Sequence, residues 1–288
     1  MRAVNVEPLD LLHLGHERVI GCYLLETQDG PALFDCGPAT CAATLKERLG
    51  ERGLALTDVR HLLLSHIHLD HAGATGVLVR EHPGLQVHVS EIGAPHLVDP
   101  GKLIVSARRL YGDDLERLWG EIVPVPQANV QVVGASVAGL DCFPSPGHAS
   151  HHVSYVATDG TLYAGDAAGV RIAPARSVLP PTPPPDLDVE RWHATTLELR
   201  RRKPDRLALI HFGVVDDVER HLDELDRRLD EWLERVAGGA SEAEFVSAAV
   251  ADLQAADADA ADVYTQAMPL EQSWAGLRRY VDKRVEAA

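Results

Sequence analysis

The chain has 288 residues, 45% of them hydrophobic, enough apolar material for one substantial core with at most a small appendage. A formal net charge of -16 at pH 7 disfavours tight binding to a polyanion, because phosphate contacts need clustered lysine and arginine, and this counts against nucleic acid as a partner. No apolar run is long enough to span a bilayer and the first residues hold no signal-peptide apolar segment, so the expectation is a cytoplasmic protein with no membrane contact.

In a reducing compartment Cys22, Cys36, Cys41 and Cys142, which lack zinc-ribbon spacing, read as buried thiols. Asp29 and Gly30 mark a hairpin turn between extended runs at 19–27 and 31–35. Pro38 opens a helix with Leu45 and Leu49 inward. The apolar run 59–64 reads as a buried strand, and SHIHLDHAG follows it directly at 65–73. Side chains two apart in extended backbone point the same way, so His66 and His68 face one side while Ile67 and Leu69 return to the core. That gives two imidazoles for one metal ion. Asp70 and His71 stand where the chain turns toward a helix, within reach of a second ion, and imidazole with carboxylate suits zinc. Without metal, this loop would leave four polar groups at the mouth of a buried strand without partners.

Two adjacent tetrahedral sites need further ligands, which should sit at the ends of other strands, where loops are held by rigid scaffold. His148 in Pro-Gly-His follows an extended run at 139–143, Asp166 in Gly-Asp follows 161–164, and His211 in His-Phe-Gly follows 207–210. Taken singly, each has a plain explanation as a turn histidine, an N-cap aspartate or a strand-end histidine. As an ordered set they are far more specific. Residues 93–126 have no clear strand pattern and carry Arg108, Arg109, Tyr111 and Trp119; they read either as a helical insertion overhanging the site or as a surface helix pair anchored by its aromatics. The proline run at 180–185 lies between Asp166 and His211, so it is a stiff loop of one domain and not a linker. Asp188 caps a helix that ends in the basic patch 200–203, which reads as cations answering the macrodipole, with phosphate binding the lesser alternative. Residues 216–236 form a long amphipathic helix with Leu222, Leu225, Leu229 and Leu233 on one stripe, and His221 on it is expected to play no part in the site. The joint is read at 238–241.

The order HxHxDH, then His, Asp and His, resembles the metallo-β-lactamase-fold hydrolase superfamily from the hairpin to His211. The combination PGHASHH, PPPD and HFG is similar to an uncharacterised prokaryotic subgroup. The resemblance implies a mixed α/β (α+β) chain: a four-layer αββα sandwich over 1–237, with 238–288 a C-terminal helical extension serving as a lid or as an interface such as that of a homodimer. It implies two metal ions at one edge, His66, His68 and His148 on the first, Asp70, His71 and His211 on the second, and Asp166 bridging. Zinc is expected, with iron or manganese as alternatives. Asp35, in Phe34-Asp-Cys-Gly, resembles the family's strand-end aspartate that supports the metal loop, although a carboxylate capping the turn before glycine reads as well.

The implied chemistry is hydrolysis of a small ester, lactone or thioester by a metal-bridging hydroxide, with Asp70 as the catalytic residue that orients it and relays its proton. His151 or His152 either donates to the oxyanion or supports the site from behind. Several departures narrow the choice. True β-lactamases of the superfamily lack the bridging aspartate, so β-lactamase activity, like phosphodiesterase activity, is a lesser alternative. Acyl-homoserine lactonases typically carry a tyrosine where this chain has Gly169, and flavodiiron proteins replace the second motif histidine with glutamate. Persulfide dioxygenases, which use one iron, are the second enzyme class. A non-catalytic binding protein is disfavoured because all seven ligand positions are filled. The sequence names no substrate beyond a small molecule.

Overall fold

The expected hairpin forms β2 (Gly21–Thr27) and β3 (Gly30–Phe34), paired antiparallel, in a computed structural model that describes residues 6–287. β1 (Pro8–Asp10) adds on one side, and β4 (His61–Leu63), β5 (Gln86–Val89) and β6 (Val130–Val132) continue on the other in parallel. The apolar run 59–64 yields only the short β4, because a 3-10 turn at Leu56–Asp58 delays its start. The second sheet runs β12-β11-β10-β9-β8-β7, from β7 (Ser136–Val137), β8 (Leu140–Pro144), β9 (Val153–Val156), β10 (Thr161–Tyr163), β11 (Arg206–Leu209) and β12 (Gly213–Val215). β10 and β11 are its one parallel pair, since the crossover between them carries a helix.

The two sheets bury a shared core in which Phe34 meets Tyr155 and Tyr163, and Tyr23 meets Tyr163 edge-on. The tyrosine hydroxyls stay satisfied by crossing the core: Tyr23 donates to Leu209 O at 2.8 Å and Tyr155 to Leu64 O at 2.9 Å. These two bonds fix strand ends that carry site residues. Helices cover both outer faces. α1 (Ala42–Glu51), with Leu45 and Leu49 fully buried, packs on the first sheet together with α3 (Thr75–Glu81), which follows the short α2 (Leu69–Ala72). On the second sheet, α7 (Val189–Arg201) contributes Leu199 and α8 (Val218–Ala237) contributes Leu222 and Leu225. Asp188 caps α7 by accepting from Arg191 N, as its position predicts. The architecture is therefore the αββα sandwich.

Residues 93–126 form three helices, α4 (Ala94–Val98), α5 (Gly101–Tyr111) and α6 (Leu115–Trp119), and Leu69 packs beneath them with Ala107 and Leu115. After α8 come α9 (Glu242–Asp257), α10 (Ala261–Ala267) and α11 (Leu270–Ala287). Phe245, Tyr264 and Leu277 from these helices share one apolar cluster with Trp192, Leu229 and Trp232. α11 also presses on the proline loop, where a Cβ on Gly276 would lie 1.9 Å from Thr182 O, so only glycine fits. No helix among the described residues is long and apolar enough to cross a membrane.

Candidate metal centre

Three nitrogens converge where β4 and β8 end. His66 Nε2 lies 2.9 Å from His68 Nδ1 and 3.2 Å from His148 Nε2, and His148 Nε2 lies 2.9 Å from His68 Nδ1. Three mutual contacts of this kind cannot all be hydrogen bonds, because each ring nitrogen either donates or accepts, so two of the three must share a role. The outer nitrogens fix where that proton is. Ser65 Oγ donates to Asp35 Oδ2 at 2.7 Å, so it accepts from His66 Nδ1 at 2.9 Å. His148 Nδ1 donates to Pro181 O at 2.7 Å. Both rings therefore turn an Nε2 lone pair inward. Burial and the neighbouring imidazoles push His66 and His68 well below the ordinary histidine pKa, which keeps them neutral. Gly147 allows this approach: its φ of +143° and a Cβ position 2.4 Å from Trp192 Cα leave no room for a side chain.

A second donor set lies beside the first. His71 Nε2 is 3.6 Å from Asp70 Oδ2 and 3.3 Å from Asp166 Oδ1, and His211 Nε2 is 3.4 Å and 3.7 Å from the same two oxygens. Asp166 Oδ2 reaches back to 3.3 Å from His148 Nε2, so this carboxylate stands between the sets. His211 Nδ1 donates to Val19 O at 2.6 Å and His71 Nδ1 to Asp35 Oδ2 at 2.8 Å, again leaving Nε2 inward. Burial opposes charge on His71, yet Asp166, Asp70 and Asp35 prevail and raise its pKa well above the usual value, a pull toward positive charge at Nε2 that a metal cation would answer in place of a proton. The pKa of Asp166 is held well below the ordinary range: burial opposes this, but His71 and His148 overcome it.

The chemistry of these donors fits divalent cations. His71 Nε2 and Asp166 Oδ1 are buried and have no hydrogen-bond partner, although they face one another. A tetrahedral ion with bonds of about 2.0–2.1 Å separates its ligands by about 3.3 Å, close to the spacings in both sets. Three groups of mutually close donor atoms emerge: His66 with His68 and His148, His66 with His71 and Asp166, and Asp70 with His71 and His211.

All seven residues singled out in the sequence thus come together. Asp35 lies behind them with a φ of +52°, accepting from Ser65 N and Ser65 Oγ at 2.7 Å each as well as from His71. Burial pushes its carboxyl up from the ordinary value, and these three donors oppose the shift. It therefore braces the loop and does not merely cap a turn. His152 stacks on His66 with ring centroids 4.9 Å apart and bonds Ser145 Oγ through Nδ1 at 2.8 Å. His151 lies 5.6 Å from the His68 ring and is pushed by burial down to about 4.

The expectation for His221 is corrected by the structure. Fully buried, it donates from Nε2 to Ala168 O at 2.7 Å, within the 3-10 turn Gly165–Ala168 that carries Asp166. Trp192 Nε1 donates to Ala167 O of the same turn at 2.8 Å. Ser65 and the carbonyls of Val19 and Pro181 were also missed; a hydroxyl beside the motif was the only visible signal among them.

The cluster forms the floor of a cavity of about 840 Å³. Its walls come from α5 and α6, from Pro181 and Pro183 to Pro185, from Met268 between α10 and α11, and from Gln272 and Arg279 of α11. His13 stacks on Trp119 at 5.3 Å along one side. Residues 93–126 therefore overhang the site, and their aromatics Tyr111 and Trp119 also anchor them on the apolar cluster beneath.

The sequence profile of the metallo-beta-lactamase superfamily matches residues 17–211. An uncharacterized Bacillus subtilis protein, YobT, is 27% identical over 157 residues, which span 53% of this chain and 63% of YobT. Among solved structures, ST1585, an archaeal metallo-beta-lactamase superfamily protein from Sulfolobus tokodaii, superposes with a TM-score of 0.66 at 21% identity, covering 96% of this chain and 99% of its own. TTHA1429, a metallo-beta-lactamase family protein from Thermus thermophilus, gives 0.65 at 22% identity over 98% and 93% of the two chains. TTHA1623, solved in a di-iron-bound form, gives 0.55 at 23% identity over 71% and 91%.

Proposed function

This chain belongs to the metallo-beta-lactamase superfamily, and from that membership we propose that it is a dinuclear metal-dependent hydrolase of a small ester, lactone or thioester. The observation that carries the reading is the pair of adjacent donor sets with Asp166 between them, on the floor of a cavity large enough for substrate. His66, His68 and His148 would hold one divalent ion, Asp70, His71 and His211 the other, with zinc the expected metal and Asp166 common to both. Such ions supply Lewis acidity toward a carbonyl and a water acidified to a pKa of about 7.

The remaining work falls to the chain itself. Asp70 lines the cavity and keeps part of its side chain exposed, so it can take the proton of the attacking water and pass it to the leaving oxygen, sulfur or nitrogen. His151 lines the same cavity as a neutral imidazole and would donate a hydrogen bond to the carbonyl oxygen as negative charge develops there. Ile67, Leu69 and Trp119 exclude bulk water around the reacting bond.

Elemental analysis should find close to two divalent ions per chain, and Asp166→Ala should lower occupancy and abolish turnover of chromogenic esters and thioesters. A single iron with dioxygen consumption would instead make the protein a persulfide dioxygenase. Full hydrolytic activity in Asp166→Ala would remove the bridging role.

A further inference from the structure

Helix α5 lays two stripes along the cavity. Leu103, Ala107 and Leu110, spaced by four and three, form the inner one, and Lys102, Ser106 and Arg109, with the same spacing, form an exposed one at the rim. Exposed Arg279 of α11 also lines this cavity, and α5 meets α11 where Tyr111 Oη lies 3.5 Å from Gln272 Oε1. Leu14 and Ile92, also lining, are 45% and 53% exposed. The mouth therefore combines uncovered apolar surface with cations.

Those cations stand in a chain with 43 acidic residues against 27 lysines and arginines. Most of its arginines are paired: Arg278, next to Arg279, pairs with Asp282, and Arg200 lies within 3.2 Å of Glu219, Asp223 and Asp226. Among the described residues, no carboxylate lies within 4.0 Å of the charged groups of Lys102, Arg109 or Arg279. The helix dipole accounts for Arg109, in the last turn of α5, but Lys102 stands in the first turn, where a cation opposes the dipole. Of the carboxylates lining the cavity, Asp70 and Asp166 belong to the donor cluster, and Asp186 accepts from Ser150 Oγ at 2.7 Å.

We propose that this cavity selects an amphiphilic anion, a substrate whose apolar body lies along α5 and whose anionic group, remote from the bond to be cleaved, meets the cationic rim that Lys102, Arg109 and Arg279 form. The proposal deepens the hydrolase reading and rests on it for the reaction, but the anion site stands on its own residues. The substrate class is then an ester or thioester of an acid carrying a second, ionised group at the far end of an aliphatic or aromatic body. A neutral acyl group of the same length would fill the walls and leave the rim cations facing water.

Calorimetric titration of the metal-loaded protein with octane-1-sulfonate and with octan-1-ol tests this, since a sulfonate is a poor metal ligand and reports on the rim. Each exposed cation contributes about two- to fivefold, so the sulfonate should bind about tenfold more tightly or better. That preference should shrink at about 0.5 M NaCl, where screening shortens to a few ångströms. The triple variant Lys102→Gln, Arg109→Gln, Arg279→Gln should lose the preference, and its melting temperature, set by the buried core, checks that it is folded. Equal binding of sulfonate and alcohol, or a preference that survives in the folded triple variant, would overturn the proposal. In a parallel assay, an aryl ester of octanoate is compared with one whose octanoyl chain ends in a carboxylate, and the latter should show the higher kcat/KM. Turnover of neither ester, with the sulfonate preference intact, would sink the hydrolase reading and leave the anion site standing.

Discussion

Replacing Asp35 with Asn keeps the side chain's volume and removes its charge. The carboxylate accepts from Ser65 N on Oδ1 at 2.7 Å, and from Ser65 Oγ and His71 Nδ1 on Oδ2 at 2.7 and 2.8 Å. An amide must turn its NH2 toward one of these sides. Facing Ser65 N, it opposes a backbone donor that cannot rotate. On the other side, the serine hydroxyl can turn, and His71 can accept only by moving its proton from Nδ1 to Nε2, the atom that faces Asp70 and Asp166. The mutation is therefore expected to remove a metal ligand without touching it. Losing one or two hydrogen bonds to a buried charge costs about 2–4 kcal/mol. For a chain of this size, that is a fall in Tm of roughly 3–7 °C. Affinity for the ion at the second donor set should drop about 10- to 100-fold, while the first set retains its three imidazoles. Dialysis against graded chelator followed by elemental analysis, beside thermal melts, reads both effects. Wild-type Tm and undiminished retention of both ions in Asp35→Asn would mean that Asp35 is a turn residue and that the tautomer argument fails.

What the sequence disclosed follows from how information is carried. His66, His68, Asp70 and His71 were legible because four donors stand in one short stretch, and β8, β10 and β11 were legible enough to place His148, Asp166 and His211 at strand ends. The acceptors that orient the rings were not, because Val19 O and Pro181 O are backbone carbonyls, which every residue has. His221 was misread although a signal existed. It stands three residues after Val218 and four before Leu225, on the apolar stripe of α8, so the helical period that predicted Leu222 and Leu229 inward should have taken it inward too. The basic patch 200–203 reads from sequence as answering the macrodipole or binding phosphate, whereas Arg200 reaches carboxylates on α8 and Arg202 lies over the Phe143 ring at 4.2 Å. The cavity walls were illegible for a further reason: α5 and α11 are far apart in sequence, and no local pattern says that they meet.

The corrected place of His221 reverses an expectation: His221→Ala should lose about 1–3 kcal/mol of stability and reduce metal retention by loosening the Asp166 turn. Arg201→Ala, at an exposed side chain, is the neutral control, and equal metal retention in the two variants would contradict this account. His193 links α7 to α8 through Asp226 at 3.1 Å and Asp230 at 2.9 Å, with Arg200 sharing Asp226. The hydrogen bond to Asp226 raises its pKa above 6.5, with burial opposing and Asp230 assisting, so the stabilisation is complete below that value and is lost as pH rises through the raised pKa. The Tm gap between wild type and His193→Gln should therefore be wider at pH 6 than at pH 9, and a gap independent of pH would refute it. The C-terminal helices give the last test. Read from sequence, 238–288 are a separable lid or interface, and a chain ending near Val236 should fold and bind metal with altered turnover or association. The packing argues otherwise, because Trp192, Leu229 and Trp232 are fully buried in a cluster completed by Phe245, Tyr264 and Leu277. Burial of a large apolar side chain is worth about 1.5–3 kcal/mol, so uncovering several of them removes stability comparable with the about 5–15 kcal/mol that holds a whole domain folded. The truncated chain should aggregate or melt far below the full-length protein, and it also loses Arg279 from the cavity rim. Soluble, metal-loaded protein ending at Val236 with a Tm near that of the full chain would show that the sandwich closes its own core and that the C-terminal cluster is an addition to it.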